Sequence, residues 1–214
     1  MNCNEKQVPS VVIKRLPRYY RYLGELLKMD IKRISSGALS ERMEVTASQI
    51  RQDFNYFGGF GQQGYGYNVE YLYNAIGEIL GLDKMNDTIV IGAGNLGKAL
   101  ANHTDFEKRG FRISALFDLN PDIIGTEVDG KPILSMSELE DYIKDNNISI
   151  AILTVPKAET QKVADILTDF GIKGLLNFSY TELKADNDVV VENVHLSDSL
   201  MTLSYNIKER NDVK

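Results

Sequence analysis

The stretch that most limits what this chain can fold into is TIVIGAGNLGKAL, residues 88–100. Ile89, Val90 and Ile91 run straight into Gly92-x-Gly94-x-x-Gly97, and the helix-compatible KALAN follows. That order specifies a short buried strand turning sharply into a helix. Gly92 permits the tight turn, Gly94 lets a pyrophosphate approach the backbone, and Gly97 lets helix and strand pack closely. The helix start then offers unpaired N–H groups and a positive dipole end to phosphate. ISALF (residues 113–117) reads as the next strand and ends in Asp118, 21 residues past Gly97. An acidic side chain there accepts hydrogen bonds from the ribose hydroxyls of NAD and repels the extra phosphate of NADP.

Composition excludes several classes. Of 214 residues, 43% are apolar and 25% charged, as in ordinary globular domains. No apolar run is long enough to span a membrane, and MNCNEKQVPS has no signal-peptide core. One cysteine, Cys3, excludes an internal disulfide framework, so the expected compartment is the cytoplasm; with only His103 and His195 besides, no metal-site spacing arises and no metal is expected. The net charge of −6 is unevenly spread. Residues 1–84 carry +2 and residues 85–214 carry −8, while the first 33 residues alone hold 8 basic and 3 acidic side chains. A locally basic module on an acidic body follows.

Residues 1–8 read as a disordered lead. From Pro9, VVIKRLPRYYRYLGELLKM places Val12, Leu16, Tyr20, Leu23 and Leu27 at helical spacing, with Lys14, Arg15, Arg18 and Arg21 interleaved. Pro17 kinks or breaks this helix, and its basic face is either merely solvated or a phosphate contact. Ser36 caps a short helix over residues 37–43; a turn at Glu44 and Val45 leads to Thr46, which opens a second helix with the T-x-x-Q capping-box spacing. Ile50, Phe54 and Phe57 face inward there, leaving Ser48, Gln49, Arg51, Gln52 and Asn55 outward. This is the helix-turn-helix pattern, or else a polar-faced helical hairpin. Arg grips guanine edges or phosphate, and Gln and Asn pair with adenine. GGFGQQGYGY (residues 58–67) has five glycines in ten residues and suits a β-hairpin wing, although a flexible linker has similar composition. Asn68 caps a further helix that stops at Gly81, and residues 82–87 form the expected joint.

Beyond it strands and helices alternate, the mark of a parallel doubly wound sheet. Strands are expected at residues 111–118, 148–156, 173–178 and 188–194, with helices from residue 95 to 103, 137 to 144 and 157 to 171. Ligands in such sheets sit beyond the carboxyl ends of strands. That points to Thr154-Val155-Pro156 and Asn177-Phe178 as further walls of a dinucleotide site, loop packing being the alternative role. Leu196, Leu200, Leu203 and Ile207 form one stripe of a terminal helix over residues 196–209, suited to a partner chain or to its own sheet. A hydride-transferring enzyme needs a positioned proton donor. His103 and His195 are the obvious candidates, each equally suited to a structural role, and there is no length for a full substrate domain. The layout favours sensing over turnover, with a small NAD-dependent oxidoreductase or a CoA-binding module as the alternatives.

The ordered set RLPRYYRYL (15–23), TASQIRQDFNYFGGFGQQGYGY (46–67), IVIGAGNLGKALAN, FD-x-NP (117–121), LTVP (153–156), GIKGLLNF (171–178) and VENVHLSDSLMTLSY (191–205) resembles the redox-sensing transcriptional repressor family Rex, over nearly the whole chain. The resemblance implies an α/β protein: a winged-helix DNA-binding domain at residues 1–84, a Rossmann NAD(H)-binding domain at 85–195, and a C-terminal helix at 196–214 swapped between the subunits of a homodimer. It implies a repressor that senses NADH against NAD⁺ and leaves an inverted-repeat, A·T-rich operator when NADH binds. The implied cofactor contacts are Gly92, Ala93, Gly94, Asn95, Leu96, Gly97, Asp118, Thr154, Val155, Pro156, Asn177 and Phe178. The DNA contacts are Arg15, Arg18, Thr46, Ser48, Gln49, Arg51, Gln52, Tyr56, Gln62, Gln63, Gly64 and Tyr65. Arg21, His103 and His195 take the positions of a network that reports cofactor state across the dimer. The chain departs from the family pattern at Gln52, Gln62 and Gln63, where family members carry Lys or Arg, and at NFSY (177–180) in place of NFAP. It departs again at His103 and His195, where Tyr and Asp are usual.

Overall fold

The apolar stripes bury into separate cores, and the chain divides with them into two compact units, Met1–Lys84 and Met85–Lys214. The computed structural model describes residues 8–58, 60–62, 65–185 and 188–212. The expected disordered lead, Val8 apart, lies outside the described residues, as do Gln63 and Gly64.

In the first unit, helix α1 (Ser10–Ile13) ends before α2 (Leu16–Lys28) begins. Pro17 falls in the first turn of α2, where a missing N–H breaks no helical bond. The restart resets the phase of the apolar stripe: Leu16, Tyr19, Leu23 and Leu26 are the buried positions, while Tyr20 and Leu27, expected on the stripe, are half-buried. Strand β1 (Arg33–Ile34) precedes α3 (Ser36–Met43), whose cap is Ser35 and not Ser36; Ser35 Oγ accepts from the Ala38 amide at 3.0 Å. Glu44, left-handed at φ 53°, turns the chain toward α4 (Ala47–Asn55), capped by Thr46 Oγ1 accepting from the Gln49 amide at 3.1 Å. Strands β2 (Gly61–Gln62) and β3 (Gly66–Asn68) form the hairpin, and β3 also pairs with β1, giving the antiparallel order β1-β3-β2. Gly66 has φ +70°, and a Cβ there would lie 2.6 Å from the Ile34 carbonyl oxygen, so the hairpin requires glycine at this point. Helix α5 (Val69–Ile79) is capped by Asn68 and stops before Gly81. Two helices in a tight turn flanked by a small sheet with a protruding hairpin make a winged helix.

The second unit is built on β4 (Asn86–Ile91), α6 (Asn95–Ala101), β5 (Phe111–Asp118), β6 (Glu127–Val128), β7 (Lys131–Ser135), α7 (Leu139–Asp145), β8 (Ile150–Leu153), α8 (Lys157–Asp169), β9 (Gly174–Asn177) and β10 (Val190–Asn193). The sheet order is β10-β9-β8-β4-β5-β7-β6, all parallel except the β6–β7 pair. Without β6 this is the doubly wound dinucleotide-binding order, reversing between β4 and β8. Side chains alternate across the sheet: Ile89 and Ile91 pack with Leu139, Ile143, Ala164 and Leu167 on one face, Val90 with Ala93, Ala101 and Leu116 on the other. The β6–β7 hairpin was not expected. It turns on Asp129 and Gly130, with φ 51° and 74°, the backbone that a two-residue hairpin of this twist requires. The chain ends in α9 (Leu196–Asp212), three residues longer than expected, on which Leu196, Leu200, Met201, Leu203, Tyr205 and Ile207 are each more than half exposed.

Candidate nucleic-acid interface and nucleotide crevice

On α4 the apolar residues Ile50 and Phe54 anchor the helix in the core, and Ser48, Arg51, Gln52 and Asn55 are exposed. Arg51 Nη1 donates to Ser36 Oγ at 2.9 Å, tying α4 to the start of α3. Arg18 lies 3.8 Å from Glu44, Tyr56 is half-buried, and Thr46 spends its hydroxyl on the cap. Tyr65 is exposed at the hairpin tip, where Arg33 Nη1 donates to its carbonyl at 3.3 Å. Gln62 is paired in β2 against Gly66.

Two expected contacts prove to be engaged inward. Arg15 donates from Nε and Nη2 to the two oxygens of Asp53, both at 2.7 Å, and Gln49 Nε2 donates to Asp53 Oδ1 at 2.9 Å. The Gln49 side chain therefore turns forward along its helix to Asp53. Asp53 is wholly buried, and the Tyr19 hydroxyl adds a fourth bond at 2.8 Å. Burial alone pushes the Asp53 carboxyl up, but the bonds from Arg15, Gln49 and Tyr19 together with the Arg15 charge outweigh it and hold it below the usual carboxylate range. The bond to Asp53 raises Arg15, and burial, followed by its own hydroxyl bond to Asp53, pushes the Tyr19 phenol well up. Sequence reading missed Asp53 and Tyr19. The available signal was a carboxylate on the inward face of a helix, between Ile50 and Phe54.

The crevice forms where the strand order reverses. Gly92 turns at φ +99°, and a Cβ there would lie 2.9 Å from the Thr154 carbonyl oxygen. Thr154 Oγ1 donates to the carbonyls of Gly92 (2.8 Å) and Ile91 (3.1 Å), stitching the ends of β4 and β8. A Cβ on Gly97 would collide with the Gly92 carbonyl oxygen, whereas at Gly94 it would meet nothing within 4 Å. The glycines thus divide as expected: two hold the turn closed, and the third leaves open space. Asn95 and Leu96 are exposed at the start of α6, and Ala93 is buried. Asp118, at the end of β5, accepts from the Ala93 amide at 2.6 Å and the Asn120 amide at 2.9 Å, which fixes the carboxylate beside the glycine turn. Val155 is half-buried and Pro156 caps α8. Asn177 is fully buried; its Nδ2 donates to the Thr181 carbonyl and to Asn193 Oδ1, both at 2.8 Å, and its Oδ1 accepts from the Ser179 amide at 2.9 Å. Its side chain is therefore committed to shaping the wall, which leaves the half-buried Phe178 as the larger surface there.

Of the residues assigned to coupling, Arg21 is exposed on α2, His103 packs against Phe106 with ring centroids 4.9 Å apart, and His195 stacks on Tyr180 at 5.8 Å just before α9. No group of His, Cys, Asp and Glu able to hold a metal occurs among the described residues.

Comparison with known proteins bears on the whole chain. The Rex protein of Thermoanaerobacter pseudethanolicus, named a redox-sensing transcriptional repressor, is 58% identical, covering 95% of this chain and 91% of its own length. The Rex of Clostridioides difficile is 54% identical over 95% of this chain and 97% of its own. This chain belongs to the Rex family of redox-sensing transcriptional repressors. Rex relatives carry the name of repressors and not of enzymes. A crystal structure of RSP, a Rex-family repressor, in complex with NAD⁺ and operator DNA superposes with a TM-score of 0.89 at 57% identity, covering 95% of this chain and 94% of that one. RSP in complex with NADH gives 0.88 at 54%, covering 96% and 97%. Family models match both ends of the Rex layout: a putative DNA-binding protein N-terminus at residues 7–55 and a CoA-binding domain at residues 83–181.

Proposed function

We propose that the chain is a DNA-binding repressor that senses NADH against NAD⁺ and leaves an inverted-repeat operator when NADH is held. The observation that carries this reading is the joint presence of a capped α4 with an exposed polar face and a glycine crevice whose open position is Gly94. The solved complexes of RSP with NAD⁺ and operator DNA, and with NADH, support it. The winged helix spans residues 1–84, the Rossmann domain 85–195 and the dimerising helix 196–214. Gly92, Gly94 and Gly97 take the pyrophosphate, Asp118 the adenosine ribose, and Thr154, Val155, Pro156 and Phe178 the nicotinamide side. Ser48, Gln49, Arg51 and Gln52 meet base edges or phosphate, with Gln62 and Tyr65 in the wing and Arg18 on the backbone. Arg15 serves by holding α4 in place. The protein works as a homodimer in the cytoplasm, because an inverted repeat presents two half-sites.

A ligand shifts a two-state equilibrium only by its differential affinity. NADH must therefore favour the dimer arrangement that cannot span both half-sites. Anisotropy on an A·T-rich inverted-repeat duplex, with NADH and NAD⁺ titrated separately, tests this. Release by NADH at concentrations where NAD⁺ leaves the complex intact is expected; equal response to both sinks the reading. The CoA description of residues 83–181 favours one other ligand. The 3′-phosphate of CoA would meet the Asp118 carboxylate, so CoA is expected to compete poorly with NADH.

A further inference from the structure

The wing carries no charge of its own: GGFGQQGYGY (residues 58–67) contains no Lys, Arg, Asp or Glu. A cation is nevertheless fastened to it. Arg33 on β1 lies opposite Asn68 of β3, and its side chain reaches three residues along β3 toward the tip, where Nη1 donates to the Tyr65 carbonyl at 3.3 Å. Several other cations of this unit are turned elsewhere: Arg15 to Asp53, Arg18 to Glu44, Lys32 to Asp30 and Arg51 to Ser36. Arg33 is exposed and pairs with no carboxylate among the described residues. A guanidinium has five N–H donors and no acceptor, so one bond to Tyr65 leaves most of the fork unspent. The hairpin is fixed in turn to α4. Phe54 of α4 meets Tyr67 and Phe60 edge-on, with ring centroids 5.1 and 5.9 Å apart. A cation tied to the wing is thereby carried at a set distance from the exposed face of α4.

We infer that Arg33 is a further DNA contact: it lends the uncharged wing its cation and grips one backbone phosphate beside it. The planar fork matches two phosphate oxygens, and such a contact sets position and affinity without reading sequence. The inference rests on the repressor reading, which brings the wing to the duplex.

The test uses the full-length chain and anisotropy on an inverted-repeat operator between about 0.05 and about 0.3 M salt. Each phosphate contact contributes about 0.9 to the slope of log affinity against log salt. Arg33→Gln removes one contact per half-site, so the slope is expected to flatten by about 1.8. Binding should weaken by about thirtyfold near 0.15 M salt, with base preferences across single-pair changes in the operator unaltered. Arg33→Lys keeps the charge and should keep the slope. Melting temperature and NADH affinity check that the variants are folded; should Arg33→Gln fail there, Arg33→Met, which keeps the aliphatic stem, takes its place. Four outcomes overturn the inference. Affinity that falls with an unchanged slope makes Arg33 only a brace for the wing, and unchanged affinity leaves it no role. A preference lost at one base pair makes it a reader of bases. A slope flattened as much by Arg33→Lys as by Arg33→Gln shows that charge is not what acts. A wild type that binds the operator no better than a scrambled duplex sinks the repressor reading itself, whereas selective binding whose slope ignores Arg33 sinks only this inference.

Discussion

Single positions differ in what they ask of the fold and of the ligand, and the three crevice glycines separate the two. Gly97→Ala sets a methyl against the Gly92 carbonyl oxygen, so the turn must open. It is expected to lower the melting temperature and abolish NADH binding together. Gly94→Ala meets nothing within 4 Å and should leave melting unchanged, yet its methyl occupies the space a pyrophosphate needs. A loss of NADH affinity of about tenfold or more by calorimetry is expected; unchanged affinity would place the phosphates elsewhere. The tight turn at Gly92 and the close packing at Gly97 were legible in advance because both admit only glycine. Asp53 was not, because its main partner, Arg15, is 38 residues away and nothing local pairs them. The pair carries a pH dependence of definite sign. With its carboxyl lowered in the fold, Asp53 adds stability above the unfolded carboxylate range, near pH 4, and that stability is lost as pH falls through the folded value. Tyr19 is raised, so its contribution is intact below about pH 10 and is lost as pH climbs beyond it. Melting curves against pH should therefore show the winged helix weakening at both extremes, and Tyr19→Phe should shrink the alkaline limb to the part left by Tyr67, whose phenol burial also raises.

Elements were legible where chemistry is local. Thr46 announces α4, Asn68 announces α5, and the run of β-branched residues around Ile150 announces a buried strand. Where the deciding contact is distant or the element short, reading fell short. The apolar stripe of α2 slipped in phase because the helix restarts beyond Lys14. The cap of α3 lies one residue early, at Ser35. Strands β6 and β7 went unread despite Asp129-Gly130, since Pro132 inside the segment argues against a strand and only edge pairing with β6 tolerates it. The cap on α4 gives an element-scale prediction. Thr46→Ala leaves the Gln49 amide without its acceptor and should cost about 1 kcal/mol of unfolding free energy. Fraying of that first turn, which carries Ser48 and Gln49, should lower operator affinity by up to about fivefold with NADH affinity unchanged. Equal melting temperatures for the variant and wild type would show that the cap is not what holds the turn.

At the scale of the whole molecule, α9 is the least explained by a single chain. Leu196, Leu200, Leu203 and Ile207 recur at spacings of four, three and four residues, the repeat of a helix that packs along one seam, and all remain more than half exposed. A monomer would present this stripe to water, whereas a second copy buries it. The helix follows β10, and β10 is tied to the crevice wall by the Asn177–Asn193 bond and by the Val194 amide donating to the Asn177 carbonyl at 2.8 Å. One short strand thus separates the proposed nicotinamide wall at Asn177 from the seam of the proposed dimer, and on that proposal a ligand-dependent change has a short path to α9. Truncation after His195 should leave the second unit folded and able to hold NADH weakly, but monomeric in analytical ultracentrifugation. Joining two half-site contacts in one dimer multiplies affinity by about a hundredfold or more, so the truncated chain should lose at least that much on an inverted repeat and nearly nothing on a single half-site. A truncated chain that still sediments as a dimer and still releases the inverted repeat on NADH addition would remove α9 from the switch and leave the coupling to the sheet itself.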